Sequence, residues 1–228
     1  MYFDWTYVFF VLPTLLLAIW AQYNVRSTYS KYAAQPNFAR LTGREAAQLV
    51  LMRHGITNVN IRCIDGDALT NYFDPRTNEI VLSRSVYDST SVSAIGIAAH
   101  EAGHAVQYAQ NYGPIKVRAA IIPVTQIGSN LAFPLVILGI ILSFYPLIYA
   151  GLLLFGTVVI FQLITLPVEY NASSRALESL QGLARFSPED LGGVSSVLRA
   201  AALTYLAALA VSVGNMARLI TLANRRRK

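Results

Sequence analysis

Two of the chain's three histidines lie four residues apart, in His100-Glu101-Ala102-Gly103-His104. On a helix this spacing puts both imidazoles on one face, one turn apart, where they can grip a single metal ion. Zinc held by neutral imidazole nitrogens, with one coordination position open, lowers the pKa of a bound water to about 7. Glu101 then stands beside the ion without ligating it, placed to take the proton of that water and pass it to a leaving amine. The neighbours Ile97, Ala98, Ala99, Ala105 and Val106 suit a packed helix. There, two unliganded histidines beside a carboxylate would cost desolvation energy without structural gain.

A zinc site of this type needs a third protein ligand, and the candidates are few. The single cysteine, Cys63, excludes an internal disulfide, a thiolate zinc cage and a Cys-x-x-Cys redox pair. His54 is the remaining histidine and reads as a surface or capping residue near a helix end. Among twelve Asp and Glu residues, Glu169 stands out as the first charged residue after fifty uncharged ones, at the start of a new helix. Its competing role is that of an ordinary carboxylate favoured by the helix dipole. Glu178 and Asp190 are weaker candidates, and Asp65, Asp67 and Asp88 read as turn residues.

The elements that must position these groups are set by composition. Of the 228 residues, 54% are hydrophobic and only 13% charged, against about 25% charged in a typical soluble domain. A disordered chain is excluded and a fully soluble one disfavoured. Four of the eighteen Lys and Arg residues behind the +6 net charge form one run at 225–228. The rest are dispersed, which fits a membrane surface better than nucleic acid.

Residues 119–168 carry no charge at all. A crossing needs about 20 apolar residues for roughly 30 Å of hydrocarbon, so this stretch holds two, with the turn expected at Tyr145-Pro146. Residues 2–22 read as a first span. Asp4 is its only charge, and Tyr2, Phe3, Trp5, Trp20 and Tyr23 mark its ends. A basic leader region and a small-residue cleavage site are both missing, so this segment is expected to be retained. Arg26, Lys31, Lys116 and Arg118 flank the spans on one side, which the positive-inside rule assigns to the cytoplasm. Two crossings return the chain to that side, so Glu169 and the histidine motif face the same compartment. The last apolar stretch, 200–214, fits either a fourth span or an amphipathic helix on the inner leaflet.

Between the first and second spans, Thr42-Gly43-Arg44-Glu45 has the form of a capping box, and Gly55 supplies a helix stop. Runs at 59–64, 69–73 and 79–83 are β-prone. Asp74-Pro75-Arg76-Thr77-Asn78 between the last two predicts an antiparallel hairpin. Residues 90–111 read as the motif helix, ended by Gly113-Pro114.

The 99–104 motif, the uncharged double span and the segment Pro167-Val168-Glu169-Tyr170-Asn171-Ala172-Ser173 together resemble the YugP-type neutral zinc metallopeptidases of bacterial membranes. The resemblance covers nearly the whole chain. It implies a membrane-bound peptidase of the gluzincin kind, with His100, His104 and Glu169 as zinc ligands and Glu101 as the base. The same order of motif helix, membrane hairpin and glutamate is similar to that of the HtpX and CAAX-protease group. One position departs from the pattern: the family segment usually reads Glu-Phe-Asp-Ala-Ser, and Asn171 stands at the Asp position. If that Asp raises the basicity of a ligand, its loss lowers metal affinity by about 10- to 100-fold.

The sequence thus predicts a mainly α, membrane-embedded fold: a helical zinc-peptidase domain with a small antiparallel β-hairpin and three to four transmembrane helices. Its parts are a transmembrane anchor (1–22), a cytoplasmic peptidase region (23–118) with the metal-binding helix (90–111), a transmembrane hairpin (119–168), and a helical region (169–228). The expected activity is Zn2+-dependent hydrolysis of peptide bonds in a peptide or membrane-protein substrate. The expected location is the inner cell membrane, multi-pass, with a cytoplasmic catalytic face. The lipid bilayer is a partner, nucleic acid is not, and oligomeric state is left open. Arg175 and Tyr170 are candidates for stabilising the transition state, and the strand at 79–83 for pairing with an extended substrate.

Three readings compete with this one. A catalytically inactive zinc-binding scaffold is suggested by Asn171. A metal transporter is opposed by the few polar residues of the hairpin. An intramembrane protease with the motif helix in lipid is opposed by Asp88, Glu101, Lys116 and Arg118, which bracket or interrupt that helix.

Overall fold

A computed structural model describes residues 5–67 and 70–225. Tyr2, Phe3 and Asp4 of the first span, Leu69 of the second β-prone run, and residues 226–228 of the basic tail lie outside the described residues. The fold is mainly α and membrane-embedded. Its helices are α1 (Leu12–Ala33, preceded by a π-helical turn at Tyr7–Val11), α2 (Gly43–Arg53), α3 (Arg84–Tyr87), α4 (Val92–Ala109), α5 (Gly113–Ile141), α6 (Tyr145–Gln181) and α7 (Pro188–Arg225). Strands β1 (Asn60–Ile64), β2 (Tyr72–Asp74) and β3 (Glu79–Ser83) complete it.

Among the described residues, four helical stretches are long and apolar enough to cross a membrane: Tyr7–Ala33, Gly113–Ile141, Tyr145–Gln181 and Pro188–Asn224. The stretch at 200–214 belongs to the last of these, inside the unbroken α7. At 1.5 Å per residue its 38 residues extend about 57 Å, so a crossing uses only part of it.

The chain divides into two compact units. The first comprises, among described residues, 5–22, 116–167 and 203–225. Its large apolar side chains point outward, with Leu153 77% and Phe9 71% exposed. Such a surface is costly in water and suited to lipid. Helices α5 and α6 approach closely at small residues. A Cβ on Gly128 would lie 2.5 Å from the Leu154 carbonyl oxygen, and one on Gly151 would lie 2.8 Å from that of Ala132. The turn between them is Leu142 to Phe144, with Ser143 at φ 53°. The sequence had pointed to Tyr145-Pro146. Instead these residues open α6, because proline is tolerated in a first helical turn.

The second unit comprises residues 23–115 and 168–202. Its α2 starts with the Thr42–Glu45 capping box and ends at Gly55, whose φ of 66° suits a residue without Cβ. Helix α4 starts where Ser91 accepts a hydrogen bond from the Ala94 amide (3.2 Å). It ends at Asn111, in the left-handed conformation (φ 55°). There the Tyr112 and Asn111 amides donate back to the Gln107 (2.9 Å) and Tyr108 (3.1 Å) carbonyls. Gly113-Pro114, expected to stop this helix, begins α5 instead.

The predicted hairpin is β2 and β3, antiparallel with Phe73 opposite Ile80. The first β-prone run adds β1 parallel to β3, giving the order β1-β3-β2. Strand β3 is therefore central, and the free edge expected at 79–83 does not exist. Ile80, Val81 and Leu82 are a continuous apolar run because both faces are covered, while the edges are β1 and β2.

Helix α4 lies in the middle of this unit. Ile95, Ala98, Ala99, Ala102, Ala105 and Val106 pack in one buried cluster with residues of α2, β3, α6 and α7, among them Val50, Leu82, Ala176 and Leu198. A helix apolar on nearly every face must be enclosed by protein or lipid. Here protein encloses it, and α4 is not among the four membrane-crossing candidates.

Candidate metal centre

His100 and His104 project from α4, with ring centroids 4.7 Å apart at an interplanar angle of 81°. Glu169 enters from α6 and is almost wholly buried. Its Oε2 lies 3.2 Å from His100 Nε2 and 3.4 Å from His104 Nε2. All three donor atoms lie within 4.8 Å of one another. Around a tetrahedral zinc with bonds of about 2.1 Å, neighbouring donors stand about 3.4 Å apart. Two imidazole nitrogens and one carboxylate oxygen at these separations fit a zinc ion with one position left open.

The approach of α6 depends on Gly103, the fourth residue of the motif. A Cβ there would lie 2.4 Å from the Ala172 carbonyl oxygen, so only glycine lets the two backbones pass this closely. Helical spacing then aligns Glu169 with His100 and His104, and Ser173, four residues on, with His100.

Each histidine has an outer partner. His100 Nδ1 is 3.1 Å from Ser173 Oγ, and His104 Nδ1 is 3.0 Å from Gln107 Oε1. Such contacts fix the ring and leave the opposite nitrogen for a metal. Burial disfavours the charged form of His104, but the hydrogen bond and charge of Glu169 outweigh it, so the His104 pKa lies above its ordinary 6.5. Glu101 is buried on α4 and, among the described residues, makes no hydrogen bond or ion pair. Its carboxylate is thus not committed elsewhere.

The other residues singled out from the sequence have different surroundings. His54 caps α2, and its Nε2 lies 3.0 Å from Ser179 Oγ. Asp190 Oδ2 accepts from the Ser187 (2.9 Å) and Phe38 (3.1 Å) amides at the start of α7. Glu178 accepts from Ser174 Oγ, Asp65 pairs with Arg84 (3.0 Å), and Tyr170 is exposed. Arg175 Nε donates to Asn171 Oδ1 (2.7 Å), its Nη1 donates to Gln110 Oε1, and it lies over the Tyr112 ring.

Gln107 and Ser173 were missed from sequence. The available signals were a polar residue at i+3 from His104 on an apolar helix, and a hydroxyl at i+4 from Glu169. Asn171 makes no hydrogen bond to either histidine; its Oδ1 accepts from Gln107 Nε2 at 2.9 Å.

The family model described as "Putative neutral zinc metallopeptidase" matches residues 7–224 of the chain. A relative in Bacillus subtilis (strain 168), the "Putative membrane protease YugP", is 40% identical over 216 residues, which cover 94% of this chain and 95% of the relative. No solved structure matches it.

Proposed function

We propose, from the premise that this chain belongs to the neutral zinc metallopeptidase family, that it is a membrane-bound endopeptidase of the gluzincin kind. His100, His104 and Glu169 hold the zinc and Glu101 is the general base. The observation that carries this reading is the convergence of Glu169 Oε2 on the Nε2 atoms of both motif histidines, at 3.2 and 3.4 Å.

When bound, zinc supplies the Lewis acidity that acidifies water and polarises a scissile carbonyl. The protein's own part is to hold and move protons. Glu101, one residue from a ligand and uncommitted, takes a proton from the attacking water and delivers it to the departing amine nitrogen. Burial of Glu169 keeps bulk water from competing for the donor atoms. An extended peptide can pair with the outer edge of β2, because main-chain pairing accepts many sequences. The span order and the basic residues at 26, 31, 116 and 118 support a cytoplasmic catalytic face in the inner membrane.

The test is hydrolysis of unfolded casein by the purified, zinc-loaded protein, with Glu101→Gln beside it. The variant is expected to keep its zinc and to lose about 10²- to 10⁴-fold in rate. Equal rates in the two samples would leave a zinc-binding scaffold as the better description.

A further inference from the structure

We propose that Gln107 is a positioning residue for His104, held in that role by Asn171 and Arg175. The inference rests on the reading of His104 as a zinc ligand. It concerns how the chain orients the ring of that ligand.

A glutamine amide can take two orientations, and at buried Gln107 one is enforced. Its Nε2 lies 2.8 Å from the Val168 main-chain oxygen, which can only accept. The same Nε2 lies 2.9 Å from Asn171 Oδ1. Asn171 is itself prevented from turning, because its Oδ1 also receives Arg175 Nε at 2.7 Å and a guanidinium only donates. Reversing Gln107 would set its oxygen against two acceptor oxygens, and reversing Asn171 would set its amino group against two donors, away from water.

Gln107 Oε1 is therefore left facing His104 Nδ1 at 3.0 Å, and the ring must donate Nδ1–H to it. With Nδ1–H committed to Gln107, Nε2 is the nitrogen left for a metal, and it is the one that faces Glu169; without a metal it keeps a proton toward that carboxylate. Arg175 is braced in turn by Gln110 and the Tyr112 ring. Asn171 supplies the acceptor that a carboxylate at that position would supply, so the relay survives the loss of charge.

Two measurements test this. Long-range ¹⁵N–¹H NMR of the zinc-loaded wild-type protein in micelles should show the His104 proton on Nδ1. Chelator competition should show zinc affinity lowered about 10- to 100-fold in Gln107→Leu and in Asn171→Leu. Asn171→Asp, which keeps the acceptor, should bind zinc as the wild type does. In the Gln107→Leu background, Asn171→Leu should cost no further affinity, since its effect passes through Gln107. A residue that merely ties α4 to α6 would not produce this non-additivity or fix the tautomer.

A zinc-loaded His104 without a proton on Nδ1, or wild-type affinity in Gln107→Leu, overturns the inference while leaving the metal centre standing. A wild-type protein that binds no zinc sinks the functional reading instead. The proton measurement needs no variant to fold.

Discussion

Gly103 and Ala172 bring the main chains of α4 and α6 so close that a methyl group on Gly103 would sit 2.4 Å from the Ala172 carbonyl oxygen. The crossing point lies between the two motif histidines in sequence and three residues beyond Glu169. An unspecified position of the motif thus carries the contact that lets the carboxylate reach the imidazoles.

Gly103→Ala separates two effects of opposite sign. In an isolated helix this change would stabilise by about 1 kcal/mol. Here the obstructing atom is main chain and cannot swing aside, so overpacking dominates at about 1–3 kcal/mol. Thermal unfolding is expected to fall, not rise, and zinc affinity to fall with it as α6 is pushed from α4. A stabilised variant with full metal content would show that the close approach is not required.

Three carboxylates close in sequence should differ sharply in metal analysis after gel filtration. Glu169→Gln keeps the volume, loses the charge and is expected to lose zinc, as is His104→Ala. Glu178→Gln should retain it, because that carboxylate is engaged with Ser174. Asp190→Ala should retain zinc yet lose about 0.5–2 kcal/mol of stability, since it removes the acceptor for the Ser187 and Phe38 amides.

The raised pKa of His104 gives zinc binding a defined pH dependence. In the metal-free protein the protonated ring adds stability that is complete below 6.5 and is lost as pH rises through the higher folded-state value. Zinc requires the neutral ring, so the ion must displace that proton. Affinity measured by competition is expected to increase about tenfold per pH unit until His104 is deprotonated, then level off at a pH above 6.5. A flat profile through this range would contradict the shift.

Sidedness can be read with single cysteines in a Cys63→Ser background. Met52, exposed beside the C-terminus of α2, and Phe144, exposed in the α5–α6 turn, are suitable positions. A membrane-impermeant maleimide applied to intact cells is expected to label Phe144→Cys and to reach Met52→Cys only after lysis. The opposite pattern would place the catalytic face outside.

Local features were legible in the sequence because their causes are local. The shared face of His100 and His104 follows from helical pitch alone. The Thr42 box and Gly55 stop follow from backbone groups within a few residues, and three of the four membrane-crossing candidates from charge-poor length, the stretch at 200–214 having fitted two readings. Boundaries were weaker. Asn111 ended α4 ahead of the more conspicuous Gly113-Pro114, since a left-handed residue with two back-donated amides suffices.

What only tertiary structure decided are the relations across long separations. β1 lies parallel beside β3, Gln107 meets Asn171 and Val168, and Glu169 reaches the two histidines through the passage at Gly103. Residue type and spacing specify what a side chain can do and which neighbours share its helical face. Which distant group completes a site depends on how closely two packed backbones can approach, a property of the pair that neither segment expresses alone.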